Sequence, residues 1–259
     1  MTAKHIPRKR FGQNFLVDDG IIDGIVNAIA PQRNDRLVEI GPGLGALTAP
    51  LLTRLEHLHV VEIDRDLIAQ LRENNSANRL TIHEGDVLEF DFTSLGHDLR
   101  VAGNLPYNIS TPLLFRFAGF AACIRDVHVM LQREVVERMV ATPGASEFSR
   151  LSVMLQYRFD MEMLFDVPPG SFDPAPKVES AVVRLMPFTT LPHPARDEDV
   201  FSSVVARAFS QRRKTLRNTL KGVIADADFA RLDINPGARA QELSVADFVR
   251  IADAVTAPI

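Results

Sequence analysis

Between Arg36 and Met139 the chain alternates short apolar runs with stretches of helical periodicity, and few folds accommodate that rhythm. Strands are expected at Arg36–Ile40, His59–Ile63, Leu80–His83, Leu99–Ala102 and Val127–Leu131. Helices are expected at Leu44–Leu55 and Leu67–Asn74, from Thr111 through Phe117, and at Glu134–Met139. Strands alternating with helices at this pace predict a mostly parallel sheet with helices on both faces. Upstream, Ile21, Ile22, Ile25, Val26 and Ile29 fall at helical spacing, with Asp18 or Asp19 as the cap. Downstream, Leu151–Tyr157 reads as a helix, and Met161–Val167 and Ala181–Leu185 as late strands able to add an antiparallel edge.

The pattern changes near Met186. Residues 187–196 hold Pro187, Pro192 and Pro194 without periodicity and read as a linker. The chain of 259 residues then divides into a domain at 1–186 and a smaller helical one at 197–259. Helices are expected there at Asp199–Lys221, Asp226–Arg231 and Ser244–Ala254, the last with Ser244 and Asp247 placed as in a capping box. A net charge of −4 excludes a wholly basic nucleic-acid coat but not local clusters. One such cluster is Lys4–Arg10, with five basic or histidine residues and no acid, expected as a mobile arm.

A lone cysteine, Cys123, rules out an intramolecular disulfide and fits a reducing compartment; between Ala122 and Ile124 it reads as a small buried hydrophobe. The seven histidines show no metal-ligand spacing, so no metal is expected. No apolar run reaches the roughly 18 residues of a membrane span, and the first residues are polar and basic. A cytoplasmic protein is expected.

Val38-Glu39-Ile40-Gly41-Pro42-Gly43-Leu44-Gly45 falls between the first strand and its helix. Glycines there allow a tight turn and close backbone approach to a ligand. Glu62, at the end of the next strand, stands 21 residues past Gly41, where a carboxylate can accept from a ribose hydroxyl pair. Asp86, after the third strand, is placed to accept from an adenine amine, although Gly-Asp is also an ordinary turn. The set points to an adenosine-containing cofactor without choosing one. Gly41, Gly43 and Ala46 also satisfy the loose dinucleotide pattern G-x-G-x-x-A.

Asn104-Leu105-Pro106-Tyr107 follows the fourth strand directly. It matches the Asn/Asp-Pro-Pro-Tyr motif of methyltransferases that act on exocyclic amines. Further segments accompany it in order: Phe11-Gly12-Gln13-Asn14-Phe15-Leu16, Glu39 to Gly45, Phe172-Asp173-Pro174-Ala175-Pro176-Lys177-Val178, and Gln211 to Asn218. Together they resemble the ribosomal RNA adenine dimethyltransferases over nearly the whole chain, in particular the bacterial branch that modifies two adjacent adenosines near the 3′ end of 16S rRNA.

The resemblance implies a Rossmann-like α/β methyltransferase fold with a mostly parallel seven-stranded sheet and a small all-helical C-terminal domain. It implies S-adenosyl-L-methionine as cofactor, held by Asn14, Leu16, Gly41, Glu62, Asp86 and Asn104. It implies 16S rRNA, within the small ribosomal subunit or its precursor, as partner, with no membrane and a monomeric enzyme. The macrolide-resistance 23S methyltransferases share several of these motifs. A non-catalytic RNA-binding relative and a dinucleotide oxidoreductase are the other readings, and the second has no use for Asn-Leu-Pro-Tyr.

The chemistry fits the tetrapeptide. An adenine N6 lone pair is delocalised into the ring and is a poor nucleophile. If the Asn104 side-chain oxygen and the Leu105 carbonyl accept its two N–H bonds, density returns to nitrogen. Pro106 stiffens that carbonyl by fixing φ, and positioning of this kind removes up to roughly 7–11 kcal/mol without a strong base. Tyr107 offers a face for the target base, and Phe172 a second if the loop 168–176 folds over the site; stacking contributes roughly 1–3 kcal/mol per base. Each aromatic has an ordinary alternative, Tyr107 as a core residue and Phe172 as a loop anchor.

Between Arg207 and Lys221 there are six basic residues and no acid. Val205, Phe209, Leu216 and Leu220 share one face of a continuous helix there, and Lys214, Arg217 and Lys221 another. Arg212, Arg213, Lys214, Arg217 and Lys221 are the expected phosphate contacts, unless they form only a solvated face.

Overall fold

The computed structural model describes residues 13–256, so the arm expected at Lys4–Arg10 lies outside the described residues. The chain opens with β1 (Phe15–Leu16) and α1 (Asp19–Ile29), followed by β2 (Leu37–Ile40), α2 (Thr48–Arg54), β3 (Leu58–Glu62), α3 (Arg65–Asn74) and β4 (Leu80–Glu84). Then come β5 (Leu99–Asn104), α4 (Ser110–Gly119), β6 (Ile124–Gln132), α5 (Arg133–Val140) and α6 (Arg150–Gln156). β7 (Phe159–Val167), β8 (Phe172–Asp173) and β9 (Ser180–Pro187) follow. The remainder is helical: α7 (Glu198–Ala208), α8 (Leu216–Thr219), α9 (Asp226–Arg231) and α10 (Val245–Thr256).

Seven strands form one sheet in the order β4-β3-β2-β5-β6-β9-β7. The five strands from β4 to β6 are parallel, and β9 runs antiparallel to β6. β2 hands on to β3 and β4 on one side, whereas β5 and β6 build out on the other. The order therefore reverses between β2 and β5, and a crevice opens at the carboxyl ends of those two strands. The inner parallel strands β2, β3, β5 and β6 are buried on nearly every residue, which is why they read as largely apolar runs, whereas edge strand β4 buries only Leu80.

α1 is capped by Asp18, which accepts from Gly20 and Ile21, and it buries Ile25, Val26 and Ile29 against Leu37, Leu58 and Val60. At the opposite end of the strands, Arg100 is sunk in a buried ion cluster. Its Nε donates to both oxygens of Asp126 at 3.0 Å, its Nη1 to Asp35 at 2.8 Å and its Nη2 to the Ile29 carbonyl at 2.6 Å. The burial of Arg100, Asp35 and Asp126 makes this cluster a junction of α1, β5 and β6 rather than a surface ornament.

Three sequence expectations are corrected. The helix expected at Leu44–Leu55 starts only at Thr48, because Gly43 and Gly45 adopt φ of +59° and +88°, outside the helical region. The helix expected at Asp199–Lys221 is two. α7 ends at Ala208, the chain turns, and α8 resumes at Leu216. Arg207 shows the reversal: it donates to the Thr219 carbonyl at 3.1 Å and the Lys221 carbonyl at 2.8 Å. In a straight helix residues 14 apart lie about 21 Å apart. Leu216 and Arg217 instead donate to Ala238 and Pro236, an exchange of helix bonds for tertiary ones.

The third correction concerns the boundary. Of the described residues, one compact unit comprises those up to Val136 with Met161–Pro187, and the other Glu137–Asp160 with those from Phe188 onward. α6 therefore belongs to the helical unit, where Phe148, Val153 and Tyr157 are buried with Phe201, Val204 and Val205. The Tyr157 hydroxyl donates to Glu198 at 3.2 Å and accepts from Ala195 N–H at 3.1 Å. The supposed linker 187–196 is thus not a free tether. Its Phe188 N–H bonds Arg158 and its Arg196 N–H bonds Asp253 within the same unit. Among the described residues, no helix is long and apolar enough to cross a membrane.

Candidate active site

A cavity of about 300 Å³ occupies the crevice at the β2/β5 reversal. β2, β3 and β4 deliver Glu39, Glu62 and Asp86 to its wall, and β5 delivers the tetrapeptide. No lysine, arginine or histidine lines it among the described residues. Glu62 and Asp86 put acidic groups on that wall and no cation offsets them among the described residues, so the cavity disfavours a pyrophosphate and favours a positively charged ligand.

The glycine loop sets the floor. Gly41, Gly43 and Gly45 all lie at positive φ, so a side chain at any of them is strained. Gly103 was not singled out in the sequence, yet it decides how closely the two halves approach. A Cβ there would stand 2.5 Å from the Ile40 carbonyl oxygen and 3.2 Å from its nitrogen. Only glycine lets β5 run this close to β2, immediately before Asn104. A glycine preceding a functional strand end is the signal that would have revealed it.

Glu62 is 7 % exposed. Its Oε1 accepts from the Ile63 and Asp64 N–H groups at 2.9 Å, and its Oε2 has only a long 3.4 Å contact from Gly43 N–H. One oxygen is held by the backbone and the other faces the loop with capacity to accept. Burial raises its pKa, opposed by these hydrogen bonds. Glu39 is fully enclosed, and burial first, then the Glu62 charge, lifts its pKa to about 7, against the Thr48 hydroxyl donating to Oε2 at 2.6 Å. Asp86 is exposed; Oδ1 accepts from Leu88 N–H at 2.9 Å. Leu44 and Ile63, at 44 % and 46 % exposure, present bare apolar surface at the cavity wall, a suitable bed for a purine ring.

The tetrapeptide is a rigid turn. Leu105 N–H donates to the Met130 carbonyl at 3.1 Å, Ile109 N–H to the Pro106 carbonyl at 3.2 Å, and the Ser110 hydroxyl to the Tyr107 carbonyl at 3.0 Å. Asn104 Nδ2 donates to the Asn14 carbonyl at 3.0 Å. A carbonyl can only accept, so this bond orients the amide and leaves Oδ1 as the end available to a donor. Tyr107 is half-buried, with its hydroxyl 2.7 Å from Ser180 Oγ, and burial raises its pKa. That bond fixes the ring at the cavity wall.

The structure gathers Asn14, Leu16, Gly41, Glu62, Asp86 and Asn104 to Tyr107 around this one cavity. Asn14 contributes through its backbone carbonyl, and Leu16 is 5 % exposed. Phe172 is the exception. It is 4 % exposed, packed in the core beside Leu16 and Val26, and absent from the cavity lining, so the structure does not make it a second face of a base clamp. Gln13 also lines the cavity, and its Nε2 donates to Asp64 at 3.2 Å. In the helical unit Arg212, Arg213, Lys214, Arg217 and Lys221 are all exposed, on the turn and short helix rather than on one long helix. Arg217 pairs with Asp226 at 3.4 Å and Arg212 donates to the Ser146 carbonyl at 2.6 Å. Among the described residues no ion pair engages Arg213, Lys214 or Lys221.

Comparison with known proteins agrees with this geometry. The model of the ribosomal RNA adenine dimethylase family matches residues 4–257. A ribosomal RNA small subunit methyltransferase A of Thiobacillus denitrificans is 64% identical over 247 residues, covering 95% of this chain and 97% of that protein. A counterpart in Aromatoleum aromaticum is 61% identical over 255 residues, 98% of this chain and 96% of that one. Among solved structures, a dimethyladenosine transferase from Plasmodium falciparum superposes with a TM-score of 0.79 at 27% identity, covering 92% of this chain and 95% of that chain. With Asn104-Leu105-Pro106-Tyr107 at the strand reversal, an acidic cavity beside it and a family match along nearly its whole length, this chain belongs to the ribosomal RNA adenine dimethylase family.

Proposed function

We propose that this protein transfers methyl groups from S-adenosyl-L-methionine to N6 of two adjacent adenosines near the 3′ end of 16S rRNA, giving N6,N6-dimethyladenosine. The observation that carries the reading is the Asn104 amide, oriented by the Asn14 carbonyl at 3.0 Å and set beside the glycine loop. The cofactor's part is a methyl group made electrophilic by a sulfonium. Glu62 would hold its ribose hydroxyls through Oε2 and Asp86 its adenine amine, with the Gly41 to Gly45 backbone leaving room for it. The carboxylate-rich wall suits its positive charge.

Asn104 Oδ1 and the Leu105 carbonyl accept the two N–H bonds of the target amine and aim its lone pair. Pro106 and the turn bonds hold that carbonyl without reorganisation. Tyr107 stacks on the base after it leaves its helix. No general base is required, because the methylated nitrogen is acidic and releases its proton to water. Arg213, Lys214 and Lys221, free of ion pairs among the described residues, grip phosphates of the folded RNA, with Arg212 and Arg217 beside them. The partner is the small ribosomal subunit or its precursor, and the enzyme works as a cytoplasmic monomer; the lone Cys123 is consistent with that compartment.

The test is incubation with labelled adenosylmethionine and undermethylated small ribosomal subunits, then mapping of the label. Two adjacent dimethylated adenosines in 16S rRNA are expected; label in 23S rRNA alone, or none, defeats the reading. Asn104→Ala should abolish turnover while sparing most cofactor binding.

A further inference from the structure

We propose that Phe172 and Ser171 are positioning residues of the methyl transfer: they fasten the strap of residues 13–18 whose Asn14 carbonyl orients the Asn104 amide. This rests on the reading that Asn104 accepts the target amine.

A side-chain amide has two ends of opposite hydrogen-bonding character and similar shape. Half a turn about its last torsion exchanges an acceptor for a donor. At Asn104 the selection is made by one bond, Nδ2 to the Asn14 carbonyl at 3.0 Å. The orientation is therefore as secure as the position of that carbonyl. Asn14 belongs to no helix and immediately precedes β1, a strand of two residues.

The strap is fastened at several points. At its start, Gln13 donates to Asp64, two residues beyond Glu62. Phe15 packs over the glycine loop, where a Cβ on Gly43 would meet its ring at 3.2 Å. β1 pairs antiparallel with β8, Leu16 opposite Phe172 and Phe15 opposite Asp173. Val17 N–H then donates to the Ser171 carbonyl at 2.9 Å, and Ser171 Oγ donates to Asp18 Oδ2 at 2.9 Å. That serine bond is the foremost cause of the lowered Asp18 pKa. Asp18 in turn caps α1.

A ladder of two residue pairs is marginal alone. What holds β8 is the burial of Phe172, 4 % exposed, in the same core as Leu16 at 5 %. The ring does not line the cavity. The role needs apolar volume at 172 rather than an aromatic face, and that separates anchoring from base stacking.

The experiment compares the full-length wild type with Phe172→Leu, Phe172→Ala and Ser171→Ala. Single-turnover transfer to small subunits is measured at saturating cofactor and RNA, with amide exchange at Leu16 and Val17 and the Asn104 side-chain amide resonances alongside. Leucine retains most of the buried volume, so Phe172→Leu should transfer within about threefold of wild type. Phe172→Ala should be at least about tenfold slower, with faster exchange at Leu16 and Val17 and an altered Asn104 amide. Ser171→Ala, which leaves the Phe172 packing intact, should be about fivefold slower with a melting temperature lowered by only a few degrees.

Phe172→Leu as slow as Phe172→Ala, with a protected strap, would mean that the ring acts directly and would overturn the inference. So would a Ser171→Ala variant with a loosened strap but full activity and an unshifted Asn104 amide. If Phe172→Ala does not fold, the other two variants decide. A wild type that methylates nothing would sink the proposed function, and the Asn104 resonances would still judge the strap.

Discussion

Gly103→Ala is the substitution whose consequence the structure defines most sharply. The new Cβ would stand 2.5 Å from the Ile40 carbonyl oxygen, where ordinary contact begins at 3.4 Å, so about 0.9 Å must be found. Neither side can rotate away, since both are backbone in a parallel ladder that pairs Glu39 with Ala102. The strands must part where β2 hands over to Gly41 and β5 to Asn104. Overpacking of this kind costs about 1–3 kcal/mol of stability. Displacing the amine acceptors from the cofactor cavity by roughly 1 Å lowers the rate by about 100-fold. The assay is methyl incorporation at saturating substrates with urea unfolding of the same preparation. Gly119→Ala is the control, because nothing lies within 4 Å of a Cβ there. Gly103→Ala with wild-type turnover and an unshifted unfolding midpoint would refute the reasoning.

Three further perturbations probe other parts of the molecule. Reversal of Arg213, Lys214 and Arg217 to glutamate should weaken RNA binding and flatten its salt dependence by about 0.7–0.9 log units per lost phosphate contact, with cofactor affinity intact; filter binding across a salt series checks it. Glu39, raised by burial to about 7, keeps a proton in the folded protein that the unfolded chain has lost above its ordinary value of 4.5. Stability should therefore fall as pH rises from 4.5 to about 7, by on the order of 3 kcal/mol, and level off above. Glu39→Gln should flatten much of that slope in urea titrations over the same range, and an unchanged slope would assign it elsewhere. Arg100→Ala strips Asp126 and Asp35 of their buried partner and should destabilise by about 3–5 kcal/mol; a loss under about 1 kcal/mol in denaturant would show the cluster to be dispensable.

Much of this protein is written locally. The inner parallel strands are apolar because both faces are covered, and glycines at 41, 43 and 45 mark backbone at positive φ. Strand ends at Glu62, Asp86 and Asn104 could be aligned on one edge because a parallel sheet places all its carboxyl ends together. Those features depend on neighbours in sequence, so the sequence determined the strands, the acidic residues at their carboxyl ends and the Asn104–Tyr107 turn.

Contacts between distant segments were decided only in three dimensions. The break at Phe209–Thr215 lies within an unbroken helical pattern, and only Arg207 reaching Lys221 and Leu216 reaching Ala238 show the chain turning back. Phe172 looks the same in sequence whether it stacks on a base or anchors a strand; its burial opposite Leu16 decides. Gly103 is not at positive φ and becomes irreplaceable only because Ile40 is already there. Local propensity and periodicity carry no term for such encounters, which arise when segments tens of residues apart compete for the same space.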